Sequence, residues 1–134
     1  MTPDKKARIY FVSAIMGAIA TLGLAATSIF GWPDFALGLF TGIILVSLAM
    51  ILRRKLRDEY TQGLWQAGTS AAFIAVVILA IFGPVLLGFG YGLIDGFNDT
   101  ANAAPPDFNG KYVGIGAILA FYAGFHIAWL RSAR

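Results

Sequence analysis

The sequence predicts an all-α membrane protein, four transmembrane helices in a compact bundle with the N-terminus and C-terminus both cytoplasmic. Three observations carry that prediction. Of the 134 residues 58% are apolar and only 13% charged, whereas soluble domains carry about a quarter charged residues. The apolar residues gather into four runs, each near the roughly 20 residues that a helix needs to cross about 30 Å of hydrocarbon. The basic residues cluster at the run ends that alternation places on one side of a membrane.

In hydrocarbon every backbone polar group must be paired internally, so runs of this length are helices rather than strands. They are expected at about 7–30, 35–57, 64–94 and 111–131, with an outer loop at about 95–110, all in one integral membrane domain of residues 1–134. The first helix has a capping candidate in Thr2, then Pro3 and the basic Lys5, Lys6 and Arg8. Basic residues ahead of an apolar run that reaches Gly23-Leu24-Ala25-Ala26 also have the outline of a secretory signal. The segment is read here as a retained spanning helix.

Between the first two helices, "FGWPDF" combines a glycine stop, a proline that can open the next helix, and interfacial aromatics. The third run contains Gly83-Pro84 and then Gly88, Gly90, Gly92 and Gly96, which predicts a kink and irregular last turns. The polar stretch after it carries Asp95, Asp99 and Asp107 with Asn98, Asn102 and Asn109. Their spacing does not match a calcium loop, and a solvated loop is the expectation.

Lys5, Lys6, Arg8, Arg53, Arg54, Lys55, Arg57, Arg131 and Arg134 fall on one side if four helices alternate, and Lys111 alone falls on the other. The positive-inside rule makes the first side cytoplasmic. The formal charge of +3 is therefore a topology signal, and nucleic acid is not an expected partner. Arg53, Arg54, Lys55 and Arg57 are expected to lie among anionic lipid headgroups, their stems along the bilayer. Asp58, Glu59 and Tyr60 follow directly; the acids gain nothing from that rule. They can pair with Arg54 or Lys55 at helical spacing, or recognise a partner on the cytoplasmic side. Trp65 marks the membrane interface.

Lipid gives helices no hydrophobic reason to associate, so small residues must carry the packing. Stripes are present in Ser13, Gly17, Thr21 and Ala25; in Gly38 and Gly42; in Gly68, Ala72 and Ala75; and in Gly116, Ala120, Gly124 and Ala128. Packing within the chain is the expectation for all four, alongside a possible homo-oligomer contact.

Candidates for chemistry are few. The chain has no cysteine, which removes disulfides, thiolate nucleophiles and iron–sulfur clusters. His126 is the one histidine and the one residue in an apolar run that titrates near neutrality. Ionisable groups there are functional suspects. It shares a helix face with Tyr122 and Trp129, and that face is expected to meet lipid or a partner. There His126 either reaches a headgroup or a carbonyl within an aromatic belt, or serves as axial ligand to a haem or chlorophyll-type pigment. No cofactor is otherwise expected. No Asp or Glu lies deep in any run, so a chain the size of a small multidrug antiporter lacks the buried glutamate of that mechanism. No nucleophile elbow, zinc motif or phosphate-cradling glycine loop is present, and an enzyme is not expected.

The stretch "RDEYTQGLWQAGTSAAF" and the later "FGYGLID" at 89–95 resemble uncharacterised small four-helix bacterial inner-membrane proteins. In these an Asp-Glu-aromatic triplet precedes the third helix, here Asp58, Glu59 and Tyr60, and an Arg-terminated fourth helix follows, here with Arg131 and Arg134. The resemblance covers the second half of the chain, which departs by a longer polar loop. It implies a bacterial inner membrane and four helices, and no activity. The expected function is an accessory or scaffold subunit in a larger membrane assembly, working through helix and loop contacts with other membrane chains and lipids. A pigment- or haem-binding subunit and a small oligomeric transporter or channel are the alternatives.

Overall fold

In the computed structural model, which describes residues 3–53, 58–98 and 110–132, all four runs are helices. They are α1 (Pro3–Phe30), α2 (Asp34–Leu52), α3 (Glu59–Asn98) and α4 (Gly110–Ser132), and each is long and apolar enough to cross a membrane. Pro3 opens α1, where its fixed φ costs no hydrogen bond; Thr2 lies outside the described residues. Gly31 adopts φ +64°, the left-handed geometry of a helix C-terminus, and Trp32 N–H donates to Thr27 O at 3.3 Å. This is a Schellman stop. Pro33 then precedes Asp34, an acid in the favourable first turn of α2.

Two boundaries differ by five residues from the sequence expectation, and α1 and α3 each run about four residues further at one end, to Pro3 and Asn98. α2 ends at Leu52 rather than near 57, because the chain turns extended at Arg53 (φ −64°, ψ 112°). α3 begins at Glu59, five residues earlier than expected, for a reason set out below. α3 also continues through Pro84 to Asn98, so the irregular last turns are not found. Asp99, Asn102, Asp107 and Asn109 of the expected outer loop lie outside the described residues.

The helices form two hairpins, α1 with α2 and α3 with α4, which meet along α1 and α4. Glycines decide how closely. Tyr122 of α4 lays its ring end on Gly17 of α1, where a methyl group would overlap the hydroxyl. Phe40 covers Gly23, Phe121 covers Gly68, and Leu79 covers Gly116. Gly124 faces the Ala67 carbonyl, 3.0 Å from where a Cβ would sit, so α3 and α4 approach backbone to side chain. The core that results joins Tyr10, Ala14, Ile51, Leu64, Phe121, Tyr122 and Phe125 from all four helices. Buried Thr21 and Thr27 turn their hydroxyls onto carbonyls of their own helix, at 2.7 Å each, leaving no polar demand on the core.

The small-residue stripes thus pack as expected in α1, α3 and α4, but not in α2. Among the described residues nothing lies within 4 Å of where a Cβ would sit on Gly38 or Gly42. Most of α3 is also uncovered, with Phe73, Ile74, Val85, Leu86 and Phe89 more than half exposed.

If the ring of Tyr122 sets the α1–α4 distance, Gly17→Ala should destabilise the bundle by roughly 1–3 kcal/mol, the cost of overpacking. The same change should cost clearly less in a Tyr122→Leu background. Equilibrium unfolding in mixed micelles measures the coupling, and strict additivity would place the contact elsewhere.

Candidate functional site

The Asp58-Glu59-Tyr60 triplet sits at the start of α3, and its first member is the helix cap. Thr61 N–H and the Thr61 hydroxyl both donate to Asp58 Oδ1 at 2.7 Å, and Asp58 N–H donates back to Thr61 Oγ1 at 2.9 Å. Gln62 N–H then closes the first turn on Asp58 O at 2.9 Å. Two backbone donors that a helix start would leave unpaired are satisfied reciprocally. The backbone N–H of Thr61, and then its hydroxyl, hold the Asp58 carboxyl below the ordinary carboxylate value. Thr61 is itself buried, and its carbonyl accepts the Tyr10 hydroxyl of α1 at 3.2 Å. The cap therefore fixes α3 against α1.

Tyr60 closes the other side. Ser132 donates its one hydroxyl proton to Trp129 O at 2.8 Å, so in the 2.5 Å contact between the two hydroxyls Tyr60 is the donor. The start of α3 is thereby tied to the end of α4. Glu59 is exposed in the first turn, where a negative charge suits the helix dipole. The expected pairing of Asp58 with Arg54 or Lys55 is replaced by the cap. Arg54, Lys55 and Arg57 lie outside the described residues.

These contacts bring Arg8, Arg53 and Arg131, all exposed, to the same end of the bundle as Asp58 and Glu59. Asp34 and Lys111 stand at the opposite end, at the starts of α2 and α4.

The face of α4 that carries Tyr122, His126 and Trp129 is turned inward, against expectation. Tyr122 is buried on Gly17, and Trp129 stacks on Phe11 of α1 with ring centres 4.9 Å apart. The physical reason is the glycine on α1, which admits a large ring where the small stripe of α4 is already spent on α3. Tyr122 is thus a core residue rather than a lipid or partner contact, and its hydroxyl has no hydrogen-bond partner among the described residues. Trp65, expected at the interface, is half-buried with its ring edge-on to Phe121 at 5.1 Å.

His126 is half-buried, among the rings of Tyr122, Phe125 and Trp129 at 5.4–6.4 Å. Its Nδ1 lies 2.7 Å from Tyr122 O. A carbonyl only accepts, so Nδ1 carries the proton of this contact. The carbonyl contact is one of the two outcomes expected for this histidine. Among the described residues no group of three His, Asp or Glu side chains can hold a metal ion.

An open groove of about 770 Å³ follows the exposed side of α1 and α2. Gly38 and Gly42 form its floor, with Val12, Met16, Val46 and Met50 along its walls. Sequence reasoning missed both this groove and Thr61. The pattern Asp58-x-x-Thr61 ahead of an apolar run is a capping signature that was there to be read.

Four helices long and apolar enough to cross a membrane, packed as two hairpins, define the class: an all-helical bundle compatible with a multi-pass membrane protein. In comparisons with protein-family models, curated proteins and solved structures, nothing matches this chain.

The cap makes a pH prediction. The folded Asp58 carboxyl titrates below its ordinary 3.8, so its contribution is complete above that value and disappears as the pH falls through the lower folded one. Asp58→Ala should cost about 1 kcal/mol at neutral pH. Asp58→Asn should retain most of the cap and flatten the acid-side slope of unfolding midpoint against pH. An unchanged slope in Asp58→Asn would assign the titration to another group.

Proposed function

We propose that this chain is a non-enzymatic small integral membrane protein, an accessory or scaffold subunit of a larger assembly in the bacterial inner membrane, with both termini cytoplasmic. The observation that carries the reading is the surplus length of α3. It has 40 residues, about 60 Å at 1.5 Å per residue, against 23 residues in its partner α4.

The contact of Leu79 with Gly116 puts the start of α4 level with Val85. Residues 86–98 therefore continue about 20 Å past their partner helix. Leu86 and Phe89 are about two-thirds exposed there, and among the described residues nothing lies within 4 Å of where a Cβ would sit on Gly88, Gly90 or Gly92. An apolar helix with an open backbone face, standing beyond its own bundle, is suited to close packing against another chain. The basic ends of α1, α2 and α4 at the opposite pole support the assigned orientation.

Photo-crosslinking groups at Phe89 and at Val77, used in intact membranes, test this. A protein adduct at Phe89 but lipid adducts alone at Val77 is the expected result, and Leu86→Asn should abolish the former without preventing insertion. Lipid adducts at both positions, with a monomer after mild extraction, would overturn it.

A second reading is favoured by one observation at His126. Histidines that bind metal centres usually donate their other ring N–H to a carbonyl or carboxylate, which fixes the ring and aims the lone pair. His126 has that hydrogen bond, and Nε2 would be the ligating atom for a haem or chlorophyll-type pigment. A coloured preparation whose absorption band is lost in His126→Gln would establish it, and a colourless one from a host that makes the cofactor would exclude it.

A further inference from the structure

The groove along α1 and α2 has a chemical polarity that its apolar lining conceals. Gly42, Val46 and Met50 form one stripe of α2, spaced four residues apart, and the position three residues further along the same stripe is Arg53. On α1 the stripe of Val12 and Met16 runs back seven residues, two helical turns, to Lys5. Both cations are exposed, and neither makes an ion pair among the described residues. An open apolar trough therefore ends, at one pole only, in two exposed cations.

We propose that this groove binds one anionic phospholipid, its phosphate between Lys5 and Arg53 and an acyl chain laid along the trough toward Gly42. The dimensions fit. Gly42 lies eleven residues from Arg53, about 16 Å along the axis, and half of a 30 Å hydrocarbon core is about 15 Å. The acyl chain thus reaches the floor where Gly42 leaves room, since among the described residues nothing lies within 4 Å of where its Cβ would sit. The hydroxyl-bearing Ser13 and Ser47 also line the trough. The charges select this occupant over a second copy of the chain. A parallel copy docked through Gly38 and Gly42 would bring Arg53 toward its own counterpart, whereas the negative charge of a phosphate is attracted to both cations. The inference is independent of the role assigned to α3.

The test uses the full-length protein, delipidated in detergent and then offered phosphatidylglycerol or phosphatidylcholine, with bound lipid read by native mass spectrometry. A basic residue near an anionic lipid surface contributes about 1 kcal/mol, equivalent to about fivefold. Lys5→Gln and Arg53→Gln should each lower the preference for phosphatidylglycerol about fivefold, and together about 25-fold. Arg131→Gln, at the same pole but off the groove, should leave it unchanged. Gly42→Leu, at a position with open space, should reduce retention of the lipid several-fold without unfolding the bundle, and Gly38→Leu serves if it does not fold. An equal loss in Arg131→Gln would replace the site by a diffuse surface potential and overturn the proposal. So would retention unaffected by filling the groove, or a change of oligomeric state in its place.

Discussion

Everything else in this bundle depends on ring-on-glycine contact between α1 and α4. Helices surrounded by hydrocarbon gain nothing by burying apolar surface against one another, so association rests on dispersion and close approach. Tyr122 on Gly17 joins the two hairpins, while Phe121 on Gly68 and Gly124 on the Ala67 carbonyl hold α3 to α4. Each glycine is specific because the group over it occupies the volume of a methyl. The arrangement carries a local cost: the Tyr122 hydroxyl is buried without a partner among the described residues, and leaving such a group unsatisfied costs about 1–3 kcal/mol. The ring is retained there because its length spans the gap that a smaller side chain would leave empty.

At the basic pole, packing gives way to hydrogen bonding. The cap on Thr61, the Tyr10 bond to the Thr61 carbonyl and the Tyr60 bond to Ser132 form a chain from α1 through α3 to α4. That end of the bundle is where helix starts and ends expose unpaired backbone groups. Placing the directional bonds there, and the glycine contacts in the middle, matches each kind of interaction to its surroundings. It also explains the acids among so many cations. Asp58 serves the backbone of α3, and Glu59 its dipole.

How much of this was legible in the sequence depends on whether a residue acts locally or across helices. Helix number, the stop at Gly31 and the gathering of Arg8, Arg53 and Arg131 at one pole follow from run length, φ preference and alternation, all of which are local. The cap was equally local, but the triplet drew attention to Asp58, Glu59 and Tyr60 and away from Thr61, the residue that answers them. The inward turn of Tyr122 and Trp129 could not be read from α4 alone. A helical wheel ranks the faces of one helix by their own residues, and the deciding feature, Gly17, is on another. The same limit applies to α2, where Gly38 and Gly42 look no different in sequence from the glycines that pack.

The contrast between covered and uncovered glycines bears on function. A glycine in a spanning helix is costly unless something uses the space it leaves, because it weakens the helix by about 1 kcal/mol relative to alanine. Gly17, Gly23, Gly68, Gly116 and Gly124 recover that cost inside the chain. Gly38, Gly42, Gly63, Gly88, Gly90, Gly92, Gly96, Gly110 and Gly114 have no such neighbour among the described residues. Six of these fall into two groups, Gly38 and Gly42 on the floor of the α1–α2 groove and Gly88, Gly90, Gly92 and Gly96 on the part of α3 that outruns α4, and their surroundings differ. The groove group leads toward cations, the setting of the proposed lipid site. The α3 group lies on the part of the helix that outruns α4, the setting of the proposed contact with another chain. In sequence the glycines of both groups look like those that pack, and only the neighbour of each tells them apart.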